Sequence, residues 1–198
     1  MIVQEKKALR RNARADMRIH FSEDANRRIQ ALVREAPEYQ AARKVCCYIS
    51  VGYEIDTRFL LEQIMLDGKE LLVPRCRAQS MDACKVENRA GLQRILESRS
   101  GDFHGIPQPG DEAFADEPDL CILPCLLCTP KGVRLGQGGG YYDRYLAHRK
   151  VRTLLLYRPW QLVEDLPEEE TDIPIQVLLS ENGFFRPYMT DETEAGIQ

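Results

Sequence analysis

The residues best suited to chemistry lie in one short run, Arg134-Leu135-Gly136-Gln137-Gly138-Gly139-Gly140-Tyr141-Tyr142-Asp143-Arg144. Glycine at four of the five positions 136–140 permits close backbone approach and dihedrals closed to other residues. A guanidinium precedes the glycines, and two phenol rings and a carboxylate follow where a helix should begin. Backbone N–H groups at such a turn, with the positive end of a helix dipole, form a site for phosphate-type anions. The run therefore reads as a nucleotide-phosphate cradle beside the pocket of a second ligand. It is not a P-loop, because no Gly-Lys-Ser or Gly-Lys-Thr follows the second glycine. Nor is it a dinucleotide fingerprint, since Tyr141 stands where a third glycine is needed. Glycines alone fit a flexible connection equally well. Arg134, the two tyrosines and Asp143 tilt the turn toward a ligand.

Three carboxylates are further candidates. Glu54 follows an apolar run and, taken alone, reads as a solvated loop acid or a capping partner. Asp143 falls in the first turn of a helix, where negative charge is favoured. Beside phosphates it becomes a candidate Mg²⁺ ligand, since that ion takes one or two carboxylates with phosphate oxygens and water. Asp172, in Thr171-Asp172-Ile173-Pro174, is either a second such acid or a turn former before proline. Cys121-x3-Cys125-x2-Cys128 has the spacing of radical iron–sulfur enzymes, but Cys121 lies inside the apolar run 120–127 and reads as sheet packing. His20, His104 and His148 share no metal-ligand spacing, and neither Gly-x-Ser-x-Gly nor His-Glu-x-x-His occurs. Hydrolase triads and zinc catalysis have nothing to stand on.

These groups need a frame. Residues 4–20 read as a helix, with Leu9, Ala13 and Met17 at four-residue spacing and the cations Lys6, Arg10, Arg14 and Arg18 along a neighbouring stripe. Ser22 looks like the N-cap of a second helix, whose face is Ile29, Leu32, Val33 and Ala36 and which Pro37 ends. A buried strand over 45–50, a helix capped by Thr57 and stopping at Gly68, and a strand over 71–74 make a unit that favours a parallel pair. Beyond it the pattern predicts a strand over 83–87, a short helix over 92–98 and a Pro/Gly-rich loop over 101–110. Strands at 119–124, 151–157 and 177–180 follow, with a helix over about 141–148. This alternation is that of an α/β fold: a single domain over 1–198, a mostly parallel sheet with helices on both faces, three-layer and Rossmann-like. The tail after about residue 187 reads as loosely held. Ligands of such sheets sit beyond the carboxyl ends of the strands, so the Glu54 loop and the glycine turn are expected to share one rim.

Composition narrows the class. Hydrophobic residues at 43% and charged residues at 29% are those of an ordinary globular domain. Residues 1–44 hold 11 Lys or Arg against 6 Asp or Glu, whereas 161–198 hold 1 against 10. The basic beginning lacks the interleaved aromatics of a polynucleotide track, so its cations fit a nucleotide's phosphates better than nucleic acid. Seven cysteines, an odd number, argue for reduced thiols rather than a disulfide framework. With no apolar run of membrane-span length and no apolar stretch after the cationic start, a cytoplasmic protein is expected, neither secreted nor membrane-embedded.

Several short pieces then follow in a telling order: Lys6-x-x-Leu9-Arg10, Ser50-x-x-x-Glu54-Ile55-Asp56-Thr57, Gly68-Lys69 running into Leu72-Val73-Pro74-Arg75, Gly105-Ile106-Pro107-Gln108-Pro109, Leu123-Pro124, the glycine block, and Asp172-Ile173-Pro174. In content and order the chain resembles the 5-formyltetrahydrofolate cyclo-ligases, also called methenyltetrahydrofolate synthetases, over roughly residues 6–180. The resemblance implies an ATP- and Mg²⁺-dependent ligase that closes 5-formyltetrahydrofolate to 5,10-methenyltetrahydrofolate, expected to act as a monomer without nucleic-acid or membrane partners. It implies ATP binding by Lys6, Arg10, Arg134, Leu135, Gly136, Gln137, Gly138, Gly139, Gly140, Tyr141 and Tyr142. For the folate it implies Ile49, Glu54 and His104, together with the turn from Gln137 to Tyr141. Arg134 and Tyr141 would be catalytic, and Asp143 and Asp172 would hold the magnesium. Cys128 and Thr129 stand where members usually carry an aromatic residue and Asp, and some members have an aromatic near His104. The alternative is a non-catalytic folate- or nucleotide-binding homologue.

Overall fold

The computed structural model of the chain describes residues 2–98, 105–111 and 113–187. His104 and the tail beyond 187 lie outside the described residues.

The amphipathic first third forms α1 (Ile2–Ile19), α2 (Glu23–Glu35) and α3 (Pro37–Ala41) before the first strand, β1 (Lys44–Cys47). Next come α4 (Arg58–Leu66), β2 (Glu70–Cys76), β3 (Met81–Lys85) and α5 (Arg89–Glu97). The apolar run at 120 becomes β4 (Leu120–Leu123), and a small hairpin, β5 (Leu127–Cys128) and β6 (Arg134–Leu135), leads into the glycine turn. The remainder is α6 (Tyr141–Leu146), β7 (Arg152–Leu156), β8 (Val177–Ser180) and β9 (Gly183–Phe185). The main sheet has the order β3-β2-β1-β4-β7-β8-β9, parallel through its five inner strands and antiparallel at both edges.

Successive strand side chains point to opposite faces, and the two faces carry different helices. Val45, Cys47, Val73, Ile122 and Leu154 share a cluster with Ile29 and Val33 of α2, Tyr39 of α3, Leu60 and Ile64 of α4, and Leu92 of α5. Cys46, Leu72, Cys121, Leu123 and Leu155 pack on the other side with Tyr145 and Leu146 of α6. Cys121 is thus a fully buried strand residue. A third cluster stands apart: Ala13 and Met17 of α1 pack on Leu126, Leu127, Val133 and Leu135 of the hairpin region and on Leu166. The chain leaves β1 toward β2 on one side and β4 toward β7 on the other, so β1 and β4 flank a topological switch point. No helix among the described residues is long and apolar enough to cross a membrane.

Several expectations shift in detail. Ser22 Oγ does accept the Ala25 N–H, but α2 stops at Glu35, and Pro37 opens α3 from its first turn. Proline suits that position because its missing donor would be unpaired there anyway. Thr57 stands at the N-cap of α4 without capping through its side chain. Its Oγ1 donates to the Tyr48 carbonyl at 2.7 Å and accepts the Ser50 N–H at 3.1 Å, while Asp56 accepts the Arg58 N–H. The first strand ends at Cys47 instead of reaching residue 50, because the backbone after it turns to these local partners. The third strand begins at Met81, where it pairs with Cys76, and α6 ends two residues early at Leu146.

Candidate active site

The loop after β1 presents Glu54. Tyr48 Oη donates to the Ile55 carbonyl at 2.8 Å, and Ser50 Oγ bonds Asp56, so the loop is tied at both ends. Gly52, at φ +60°, lets the turn close and the Glu54 N–H reach the Val51 carbonyl at 3.2 Å. The Glu54 side chain is buried, with Oε2 accepting the Val51 N–H at 3.1 Å. Burial pushes its pKa up, and the donors from Val51 and Gln137 only partly offset this.

The hairpin presents Arg134, 8% exposed, with one guanidinium nitrogen donating to both oxygens of Asp143 at 3.1 Å. Its Nε is buried and, among the described residues, has no hydrogen-bond partner. Gly140 caps α6 at φ +63°, and Gly138 lies at φ +103° with the Arg10 guanidinium 3.2 Å from where a Cβ would stand. A side chain at Gly138 would both strain the backbone and press on that cation. With only six residues, α6 contributes little macrodipole, so the charge of the site comes chiefly from side chains.

Helix α1 supplies those cations at one-turn intervals. Lys6, 5% exposed, donates to Glu169 Oε2 at 2.8 Å and Asp172 Oδ2 at 2.7 Å. Burial draws its ammonium down, but the two carboxylates outweigh that and its pKa is raised. Arg10 Nε donates to the Gly136 carbonyl at 3.0 Å. Arg14 donates to both the side-chain and backbone oxygens of Gln137, whose Nε2 in turn lies 3.4 Å from Glu54 Oε1. A continuous polar chain thus runs from α1 through the glycine turn to the buried acid.

All of this opens into one cavity of about 1380 Å³. Pockets for a single drug-sized ligand run to ~300–1,000 Å³, so the space is large enough for two ligands side by side. Every described residue singled out for ATP, folate or metal in the sequence lines it, Ile49, Tyr141 and Tyr142 included. Asp143 and Asp172 both line it, yet no group of three or more His, Cys, Asp or Glu is placed to hold an ion among the described residues. Two carboxylates fit an ion whose other ligands are phosphate oxygens and water, which is the ordinary habit of Mg²⁺. Sequence reasoning gave no part to Arg14 beyond its helical stripe, although its position one turn past Arg10 was a usable signal. Glu169 carried none.

A doubly wound α/β sheet with a cation-rimmed glycine turn and a buried acid at its switch point has the build of a ligand-binding enzyme. The chain belongs to the 5-formyltetrahydrofolate cyclo-ligase family, a family of ligases, whose sequence model it matches over residues 2–181. It is 28% identical to the mouse (Mus musculus) 5-formyltetrahydrofolate cyclo-ligase over 194 residues, covering 89% of this chain and 94% of that enzyme. The Escherichia coli K12 enzyme of the same name is 30% identical over 147 residues, covering 73% and 81% respectively. Among solved structures, the Aquifex aeolicus 5,10-methenyltetrahydrofolate synthetase superposes with a TM-score of 0.76 at 28% identity, over 93% of this chain and 94% of that one.

Proposed function

We propose that this chain closes 5-formyltetrahydrofolate to 5,10-methenyltetrahydrofolate, cleaving ATP to ADP and phosphate in a Mg²⁺-dependent reaction. One observation carries the reading: the cation-rimmed glycine turn and the buried Glu54 face a single cavity and are bridged by Gln137. A formamide oxygen is a poor leaving group. Transfer of the γ-phosphoryl group to it gives an iminium phosphate, the folate nitrogen at position 10 attacks the activated carbon, and phosphate departs. Phosphoryl transfer asks the protein mainly to position groups and neutralise charge.

In this reading Lys6, Arg10 and Arg134 meet the phosphates, and the turn from Gly136 to Gly140 lets them approach the backbone. Magnesium, when bound, would neutralise charge on the phosphate oxygens. Asp143 and Asp172 would hold it, the nucleotide having drawn Arg134 and Lys6 away from them. Glu54 would accept the paired N–H donors of the pterin ring, a pairing well suited to a carboxylate. Ile49, Tyr141 and Tyr142 also line the cavity, and in this reading Ile49 would meet the folate while the two tyrosines would flank the junction of the ligands. The same proposal has the chain working as a cytoplasmic monomer.

The test is a single cuvette holding the protein, 5-formyltetrahydrofolate and Mg²⁺. Near-ultraviolet absorbance of the methenyl product should grow only after ATP is added. Ligand binding without that growth would identify a non-catalytic homologue instead.

A further inference from the structure

Two sequence runs take no part in the chemistry above, Leu72-Val73-Pro74-Arg75 and Gly105-Ile106-Pro107-Gln108-Pro109, yet the fold brings them together. Pro74 and Cys76 of β2 line the cavity; Arg75, between them, projects to the opposite face and is 6% exposed. One guanidinium nitrogen of Arg75 donates to three carbonyls of the returning loop: Gly110 at 2.7 Å, Asp111 at 3.2 Å and Ala113 at 3.1 Å. The other terminal nitrogen donates to Asp82 of β3 at 3.1 Å. Next to it, the Cys76 N–H donates to Gln108 Oε1 at 3.0 Å, and the exposed Arg77 reaches Asp111 Oδ1 at 3.1 Å. Ile106, Pro107 and Gln108 form a wall of the cavity, tied directly through Gln108 and followed at once by the carbonyls that Arg75 holds.

A buried guanidinium facing three carbonyls and one carboxylate is an expensive way to hold a sheet edge, since burial of charge is costly unless every donor is used. Arg75 Nε is itself without a partner among the described residues. What the arrangement does achieve is fixation of one wall. That wall stands over β2, the neighbour of β1, whose exit carries Ile49 and Glu54. Lys6 and Asp172 belong to α1 and to the segment between β7 and β8.

We infer that Arg75 is a positioning residue for the folate half of the cavity, holding residues 106–108 against Pro74 and Cys76 without touching either ligand. The inference rests on the reading of the Glu54 side as the folate half. Lysine cannot replace it fully, because a point charge lacks the planar fork that spans separate acceptors.

Calorimetric titration of 5-formyltetrahydrofolate and, separately, of ATP with Mg²⁺ into the whole chain and its Arg75→Met, Arg75→Lys and Arg77→Ala variants tests this. Arg75→Met should weaken folate binding by about 10-fold or more, as displaced positioning groups do, with ATP binding changed less than about twofold. Arg75→Lys should fall between it and the unaltered chain, and Arg77→Ala should show a smaller loss of the same selectivity. Hydrogen exchange in Arg75→Met should rise at the amides of Ile106, Gln108, Gly110 and Asp111 while β1 and β4 stay protected. Unchanged folate affinity in folded Arg75→Met or Arg75→Lys, or an equal loss for ATP, overturns the role. Should Arg75→Met not fold, the lysine and Arg77→Ala variants decide, and no folate-selective loss in either overturns it. An unaltered chain that binds ATP but no folate defeats the reading of the Glu54 half, and the role of Arg75 falls with it.

Discussion

Each cation facing the cavity is already held by a protein acceptor: Lys6 by Glu169 and Asp172, Arg10 by the Gly136 carbonyl, Arg134 by Asp143. In the proposed reaction the nucleotide's phosphates would take the place of these acceptors, so each cation would exchange one partner for another on binding. Arg134→Ala should therefore lose a charge-assisted contact of ~1.5–3 kcal/mol, read as a fall in kcat/KM for ATP with folate affinity little changed. Glu54 is the opposite case, an acid whose burial works against its charge. Its pKa is raised on folding, so the native state favours the protonated form. Stability then falls as pH rises from the unfolded value through the raised one, and the ionised group is a standing cost at neutral pH. Glu54→Gln should melt above the unaltered chain at neutral pH, with the gap closing as pH drops below the usual carboxylate range. The same substitution should weaken 5-formyltetrahydrofolate binding by ~1.5–3 kcal/mol, the worth of a hydrogen bond to a charged group. Melting curves across pH and a titration at neutral pH check the two halves of that trade.

At the scale of elements, α1 is the piece whose docking matters most, because it carries Lys6, Arg10 and Arg14 yet packs on the small hairpin cluster rather than on either face of the main sheet. Truncating Met17, buried in that cluster, should cost ~2–5 kcal/mol by the rule for buried methionine. Met17→Ala should raise the KM for ATP while leaving folate affinity close to its original value, as steady-state kinetics with each substrate varied would show. The five parallel strands of the main sheet could be read from sequence because parallel strands buried on both faces are continuous apolar runs. α2 could be read because its cap and its apolar stripe agree. β5, β6 and β9 could not, being two or three residues long and defined by pairing alone, such as the Leu126 N–H to the Leu135 carbonyl at 2.8 Å. The same limit applies within the site. The glycine turn announces itself by composition, and Lys6 and Arg10 by helical spacing. The bond from Lys6 to Glu169, and that from Arg75 to a loop some 35 residues on, join residues that no local pattern relates.

For the whole molecule, the proposed nucleotide half and the proposed folate half of the cavity are built on different supports. The cations ride on α1 and the hairpin, with their own apolar cluster, whereas Glu54 hangs from β1 in the main core. Gln137 spans the two, taking Arg14 on one side and reaching Glu54 on the other. A ligand in either half must then change what Gln137 offers the other half, since its amide oxygen and amide nitrogen are committed in opposite directions. Coupling of that kind is reciprocal: the factor by which nucleotide alters folate affinity equals the factor by which folate alters nucleotide affinity. Four dissociation constants, for 5-formyltetrahydrofolate and a non-hydrolysable ATP analogue each alone and with the other saturating, should show a coupling of ~1–3 kcal/mol in the unaltered chain. Gln137→Ala removes the bridge and leaves Arg14 and Glu54 in place, so its coupling should fall near zero. A variant that kept the full coupling would mean that the ligands speak to each other directly across the cavity, with the protein between them serving only as a wall.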